Sequence, residues 1–390
     1  MSWRIAAAAG ALIVAAGGLA CRDATRPEQN VSAAQSAGPV PGEYIVVLKP
    51  TVADPAALAA QLSRVNGGTL HFTYTSALKG FAATLTPAAA QTLARNPLVA
   101  YVEQDQVYSV DVTQTMDANG DPWGLDRVDQ QSGPLSRTYT YTATGAGVHA
   151  YIIDTGIWDL HPDFGGRANN VYDAFGATGT DCHGHGTHVA GTIGGATYGL
   201  AKGVSLHGVR VLSCGGLGLT SQIIAGIDWV RVNAVKPAVA NMSLGGGLST
   251  ALNDATTNLW NSGVFVAVAA GNDNLDACTA SPASATGAFT AAASEKTDAK
   301  ASYSNWGTCV EAYAPGSAIV SDFLGGTTMS LSGTSMASPH FAGVAVLYKA
   351  TFGDQPSATV SSWIVTNATN GVITGNPAGT PNKLLYKSTL

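Results

Sequence analysis

Charge is scarce in this chain of 390 residues. Its 19 Lys and Arg and 25 Asp and Glu make up 11% of the sequence and leave a net charge of -6. Binding DNA or RNA calls for a basic face that neutralises phosphates, so nucleic acid is excluded as a partner. No internal repeat is present, which excludes a solenoid or propeller. Long apolar runs are missing too: the stretch Ile5–Ala20 falls short of the roughly 20 residues that cross a bilayer. What the chain does have is a 46% hydrophobic content and 46 glycines. That composition suits a globular protein with many tight turns, and the length allows two or three domains.

The apolar stretch follows Met1-Ser2-Trp3-Arg4, and together they read as a secretory signal peptide over residues 1–20. Gly18 and Ala20 supply the small residues that a signal peptidase requires. Cys21 stands where a lipid would be attached, so a lipid anchor is the alternative to ordinary cleavage, although Gly18 occupies a place where lipoprotein signals usually carry Leu. Export implies an oxidising compartment. The other four cysteines, Cys182, Cys214, Cys278 and Cys309, then read as two disulfides rather than thiols or a metal cluster, with three connectivities open in principle.

Residues 21–41 lack an apolar period and read as a flexible tether. Residues 42–112 carry strand, helix, strand, strand, helix, strand in the βαββαβ order of a small ferredoxin-like α+β domain. A soft stretch from Val110 to Pro122 is the natural place for a boundary or a cleavage. Over residues 113–390 short apolar runs alternate with helices: strands are predicted at 148–153, 206–212, 239–242 and 264–270, and helices at 220–234 and 248–262. This is an α/β pattern with a mostly parallel sheet in a three-layer fold, and functional groups should gather beyond the carboxyl ends of its strands.

Four polar residues sit at strand or helix ends. Asp154 closes the first of these runs, and Asn272 follows the fourth. Ser335, in Gly333-Thr334-Ser335-Met336-Ala337-Ser338-Pro339, stands where a glycine-rich turn enters an apolar helix. A proline suits the first turn of a helix, so Pro339 predicts a helix start within a few residues of Ser335, whose N–H is then free to meet a negative oxygen. His185 lies in Cys182-His183-Gly184-His185-Gly186-Thr187-His188. One reading makes an imidazole the general base for Ser335, oriented by Asp154, with Asn272 donating to an oxyanion. A second makes His183, His185 and His188 ligands of a zinc ion, but it leaves Ser335 unused. An esterase of the α/β-hydrolase type needs Asp and then His after the serine, and His340 precedes Asp354 here. A binding protein on the same scaffold would carry a damaged triad, and this triad is whole.

Asp154-Thr155-Gly156, His185-Gly186-Thr187-His188-Val189-Ala190-Gly191, Ala269-Ala270-Gly271-Asn272 and Gly333 to Pro339 closely resemble the motifs of the subtilisin-like serine peptidases, in their proteinase K and aqualysin branch. The βαββαβ region resembles the family's inhibitory propeptide. The resemblance implies a secreted, monomeric serine endopeptidase acting on peptides and proteins, made as a precursor that its own propeptide inhibits until self-cleavage. It implies Ser335 as nucleophile, His185 as base, Asp154 as its orienting carboxylate, and Asn272 with the Ser335 N–H as oxyanion hole. Substrate would pair as an extra strand with Gly216, Leu217 and Gly218 and with Ser243, Leu244 and Gly245. An S1 pocket between Leu244, Gly245 and Gly246 and Ala269, Ala270 and Gly271, small and uncharged, would take apolar or aromatic side chains. Sequential disulfides, Cys182 with Cys214 and Cys278 with Cys309, follow from the same resemblance. So does structural calcium, with Asp126, Asp129, Gln130, Ser136 and Thr138 matching one calcium loop. Thr286 and Ala288 carbonyls with Glu311 match a second site, where relatives usually carry Asp. No catalytic metal is implied.

Overall fold

In the first domain, proline and a capping side chain start both helices in the same way. Asp54 accepts from the Ala57 N–H at 3.0 Å ahead of Pro55, and Thr86 accepts from Ala89 at 3.2 Å ahead of Pro87. Each thereby satisfies one of the donors a helix leaves open at its start. The computed structural model describes residues 38–74, 79–107, 112–115 and 122–390. The signal, most of the tether and Cys21 lie outside them. Strand β1 (Gly38–Leu48), helix α1 (Pro55–Val65), strands β2 (Thr69–Tyr74) and β3 (Gly80–Thr84), helix α2 (Pro87–Ala94) and strand β4 (Val99–Val107) give the expected βαββαβ order in an antiparallel sheet, β2-β3-β1-β4. Leu62 and Leu93 of the helices pack on Val46, Phe81 and Val99. Strand β1 begins at Gly38, inside the stretch read as tether, because Gly38 and Pro39 pair with Val107 and Gln106.

Strand β5 (Val112–Thr115) pairs with β6 (Thr138–Tyr141), beyond helix α3 (Trp123–Val128). Then follow β7 (His149–Asp154), β8 (Ala168–Asp173), α4 (His185–Gly194), β9 (Ser205–Arg210), α5 (Thr220–Asn233), β10 (Ala238–Met242), β11 (Gly246–Gly247), α6 (Thr250–Asn261), β12 (Phe265–Ala269), β13 (Ala280–Ser281), β14 (Phe289–Ser294), β15 (Ala312–Pro315), β16 (Ile319–Phe323), β17 (Thr327–Leu331), α7 (Thr334–Phe352), α8 (Ser357–Asn367), β18 (Thr369–Asn370) and β19 (Lys383–Leu384). The large sheet runs β18-β19-β15-β14-β12-β10-β7-β9-β8, with every pair parallel except β18 and β19.

The central strands are buried on both faces, which is why they read as continuous apolar runs rather than alternating ones. On one face α4 and α7 pack over Ala150, Ile152, Val239, Phe265 and Phe289. On the other α5 and α6 pack over Tyr151, Ile153, Ala240 and Val266. The β11–β13 and β16–β17 pairs are antiparallel outworks of this three-layer body.

Candidate active site

Asp154 is the last residue of β7, buried completely. Its Oδ1 accepts from the Thr155 N–H at 2.7 Å and from His185 Nδ1 at 2.8 Å. A carboxylate can only accept, so the His185 proton is on Nδ1 and Nε2 carries a free lone pair. Burial alone would lower the pKa of this imidazole; the charge and hydrogen bond of Asp154, with Asp181 behind it, outweigh burial and hold it above the usual 6.5.

His185 opens α4, and two residues fix where that helix begins. Asp181 accepts from the N–H groups of His183, Gly184 and Thr187 and from the hydroxyls of Thr155 and Thr187. Thr155 in turn accepts from the Gly186 N–H at 2.9 Å. Gly186 lies so close to the Asp154 loop that a Cβ there would meet the Gly156 carbonyl at 2.1 Å, so no larger residue keeps this spacing.

Ser335 is the second residue of α7, with its N–H at the open helix start. Pro339 sits at the sixth helical position, past the first turn where the sequence placed it. The structure shows why it is tolerated. A residue at 339 would otherwise donate to the Ser335 carbonyl; without that N–H the carbonyl is free and accepts from Ser243 Oγ at 2.7 Å. Asn241 donates to Ser243 Oγ and accepts from Ser338 Oγ, which completes the brace. The Ser335 hydroxyl itself donates to the Ser243 carbonyl at 3.2 Å.

Asn272 follows β12. Its Oδ1 accepts from both the N–H and the hydroxyl of Thr334, at 2.8 and 3.0 Å. The amide is thereby oriented, and Nδ2 is left as the outward donor. Thr334 and Asp181 were not singled out from the sequence; an acid two residues before His183 and a threonine before the serine are the only local signals they give.

Two cavities flank these groups. One, of 270 Å³, is lined by Leu244, Gly245, Gly246, Ala269, Ala270 and Gly271, all expected, and by Asn272, Thr334 and Ser335. Asp273, Ala280, Ser281, Ala283 and Asn305 complete it and were not foreseen. The other, of 330 Å³, brings His183 and His185 together with Gly216, Leu217, Gly218, Ser243, Leu244 and Gly245. Disulfides join Cys182 to Cys214 and Cys278 to Cys309, the first tying the histidine loop to the Gly216 loop.

The three-histidine zinc arrangement does not form. His188 is buried and donates through Nε2 to the Ile319 and Met329 carbonyls at 2.9 and 3.1 Å, and burial lowers its pKa to about 4. Among the described residues no three acidic, histidine or cysteine side chains gather as a metal group. The hydrolase alternative fails as well, since His340 donates to Met336 within its own helix.

The calcium-loop residues do come together. Asp126 Oδ1 accepts from the N–H and hydroxyl of Ser136, Gln130 accepts from the same N–H, and Ser136 and Thr138 hydroxyls bond at 2.8 Å. Asp129 is engaged by Lys387 at 3.1 Å and by the Thr140 N–H. At the second site Glu311 turns its carboxylate onto the Thr290 N–H, in the strand that follows the turn carrying Thr286 and Ala288.

The subtilase family profile matches residues 145–383, and the peptidase inhibitor I9 profile matches residues 43–111. The chain is 47% identical over 371 residues to an extracellular serine proteinase of Thermus sp. (strain Rt41A), covering 89% of this chain and 90% of that one. It is 43% identical over 353 residues to a cuticle-degrading protease of Metarhizium anisopliae, covering 88% and 89%. A crystal structure of a cold adapted subtilisin-like serine proteinase superposes with a TM-score of 0.68 at 49% identity, over 69% of this chain and 98% of that one. The chain belongs to the subtilase family of serine peptidases, with an I9 inhibitor region ahead of its peptidase fold.

Proposed function

We propose that this protein is a secreted endopeptidase of broad specificity that removes its own propeptide. The observation that carries the reading is the 2.8 Å bond from His185 Nδ1 to buried Asp154, which leaves Nε2 as the basic atom of the cleft. A turn of the Ser335 side chain away from the Ser243 carbonyl delivers its proton to Nε2. Oγ then attacks the scissile carbonyl, whose oxygen takes hydrogen bonds from the Ser335 N–H and Asn272 Nδ2. The imidazolium, stabilised by Asp154, returns the proton to the leaving amine, and water repeats the sequence to release the acid. Substrate lies as a strand between Gly216–Gly218 and Ser243–Gly245. Its P1 side chain enters the 270 Å³ cavity, whose glycine and alanine walls favour apolar and aromatic groups.

The relatives' extracellular location and the apolar start of the chain support export, and the two disulfides agree with it. The residues around Asp126 fit a structural calcium ion, which would be held by Asp126, Gln130 and the Ser136 and Thr138 oxygens and would fix the loop between α3 and β6. Residues 108–111, where the propeptide tail would enter the cleft, lie outside the described residues. The test is the mass of the precursor: wild type shortens by self-cleavage, Ser335→Ala stays full length, and equal processing of both would remove Ser335 from the reaction.

A further inference from the structure

The peptide-bond chemistry leaves His183 unused, although it shares a cavity with His185. Its backbone is fixed by the bond from its N–H to Asp181 at 2.9 Å, while its side chain is exposed. The two rings lie 6.3 Å apart between centroids at an angle of 67°. Imidazoles that share one metal ion, with metal–nitrogen bonds of about 2.0–2.1 Å, have ring centres roughly 5–6 Å apart. A small turn of the exposed His183 ring reaches that range. Gly216 lies against His183 Nε2, where a Cβ would come within 3.1 Å, so the bare backbone of a glycine is what leaves this nitrogen uncovered by a side chain at that position.

His185 is already arranged as metal-ligating histidines are. Its Nδ1 proton is held by a carboxylate, which fixes the tautomer and presents Nε2 as a ligand. No thiol competes nearby, since Cys182 is bonded to Cys214. We propose that His183 and His185 form a two-histidine site for a borderline divalent cation of the zinc class, with water in the remaining positions, and that its occupation silences the peptidase. The inhibition rests on the reading of His185 as general base: the lone pair that would accept the Ser335 proton is given to the metal instead. This is the reverse of a catalytic zinc, and it leaves His188 out. Calcium, which takes oxygen ligands, does not compete for it.

The test uses the mature, processed peptidase in saturating calcium. Zinc chloride is titrated by calorimetry and, in parallel, against hydrolysis of an uncharged chromogenic peptide. One zinc ion binds per chain, the rate falls over the same concentration range, and a chelator restores it promptly. In His183→Asn and His183→Gln, each compared with its own zinc-free rate, the half-inhibiting concentration rises by at least about tenfold, the loss expected when even an outer partner of a metal ligand is removed. Equal inhibition of wild type and both variants, or no zinc bound by wild type, overturns the site. Failure of the Ser335→Ala precursor test would overturn the nucleophile without touching the calorimetric comparison, so the two proposals fail separately.

Discussion

Asp322 Oδ1 faces His161 Nδ1 at 3.6 Å, and neither atom brings a proton from elsewhere. His161 accepts the Asp163 N–H at Nδ1 and donates from Nε2 to the Thr327 carbonyl, so its Nδ1 is a lone pair. Both oxygens of Asp322 are buried without a donor among the described residues, and the Asp163 carboxylate crowds the same side of Gly195. A hydrogen bond forms here only if Asp322 supplies the proton. Burial first, then the Asp163 charge, push its pKa from 3.8 to about 8, against the opposing pull of Arg167 and Lys202. Between these pH values Asp322 therefore keeps a proton in the fold that it has lost in the unfolded chain, and its contribution to stability falls as pH rises through that window, by up to about 1.4 kcal/mol per unit. Asp322→Asn removes the penalty. Its melting temperature should exceed that of wild type by a margin that grows from pH 5 to pH 8; parallel curves would mean that Asp322 is not protonated in the fold.

On the proposed mechanism Thr334 acts on the oxyanion through Asn272. Its N–H and hydroxyl both hold Asn272 Oδ1, and the hydroxyl also accepts from the Gly271 N–H at 3.1 Å. Thr334→Val keeps the shape and the N–H but drops the hydroxyl, so the amide loses half of its restraint. The expected result is a fall in kcat with KM nearly unchanged, smaller than the about 100 to 1,000-fold loss on Asn272→Ala. Steady-state kinetics on one peptide substrate decides it, and a change in KM alone would assign Thr334 to substrate binding.

The parts of this site that rest on local chemistry were legible in the sequence. Asp154 ends an apolar run, Asn272 follows another, and the turn into α7 announces Ser335. Strand and helix positions followed from apolar runs and capping residues, within a residue or two at most ends. What escaped were relationships between distant segments. Thr334 lies 62 residues from Asn272, and Asp322 is on a hairpin strand that meets His161 only after folding. The helix start that Pro339 predicted near Ser335 is where α7 begins, but the proline itself lies past the first turn, accepted there because Ser243, 92 residues before Ser335, takes the freed Ser335 carbonyl. Strand β5 was read as a soft linker because four polar-rich residues gain a strand identity only from pairing with β6.

On the proposed mechanism the bond between Asp154 and His185 should set the acid limb of activity. His185 must be neutral to accept the Ser335 proton, and its pKa lies above 6.5, so kcat/KM should fall as pH drops through a value above 6.5. Asp154→Asn removes the raising charge and the tautomer lock together. We expect kcat to fall by about 10⁴-fold and the limb to move to lower pH. A pH–rate profile of each protein checks both; an unmoved limb would assign the titration to another group.

Calcium should bind the folded protein and not the unfolded chain, so its effect is thermodynamic. At 100 times its dissociation constant a ligand of that kind adds about 2.7 kcal/mol. Melting temperature should therefore climb with calcium concentration in wild type. Asp126→Asn, which keeps the size of the side chain and its acceptor oxygen for Ser136 but loses the charge, should flatten that climb. The same slope in both proteins would place the ion elsewhere.

The Cys182–Cys214 bridge joins two sides of the 330 Å³ cavity, since Cys182 precedes His183 and Cys214 precedes Gly216. Replacing both cysteines by serine releases a 32-residue separation, worth roughly 3 to 4 kcal/mol of stability on the chain-entropy account. The catalytic groups are held by other means: Asp181 fixes the start of α4, and the Ser243 and Asn241 brace fixes Ser335. On the proposed binding mode, in which extended peptides pair with Gly216–Gly218, the loss should therefore appear in KM for such peptides and much less in kcat. A short ester that reaches only the 270 Å³ cavity should be cleaved at nearly the wild-type rate. Equal losses on the ester and the extended peptide would show that the bridge supports the catalytic groups rather than the substrate edge.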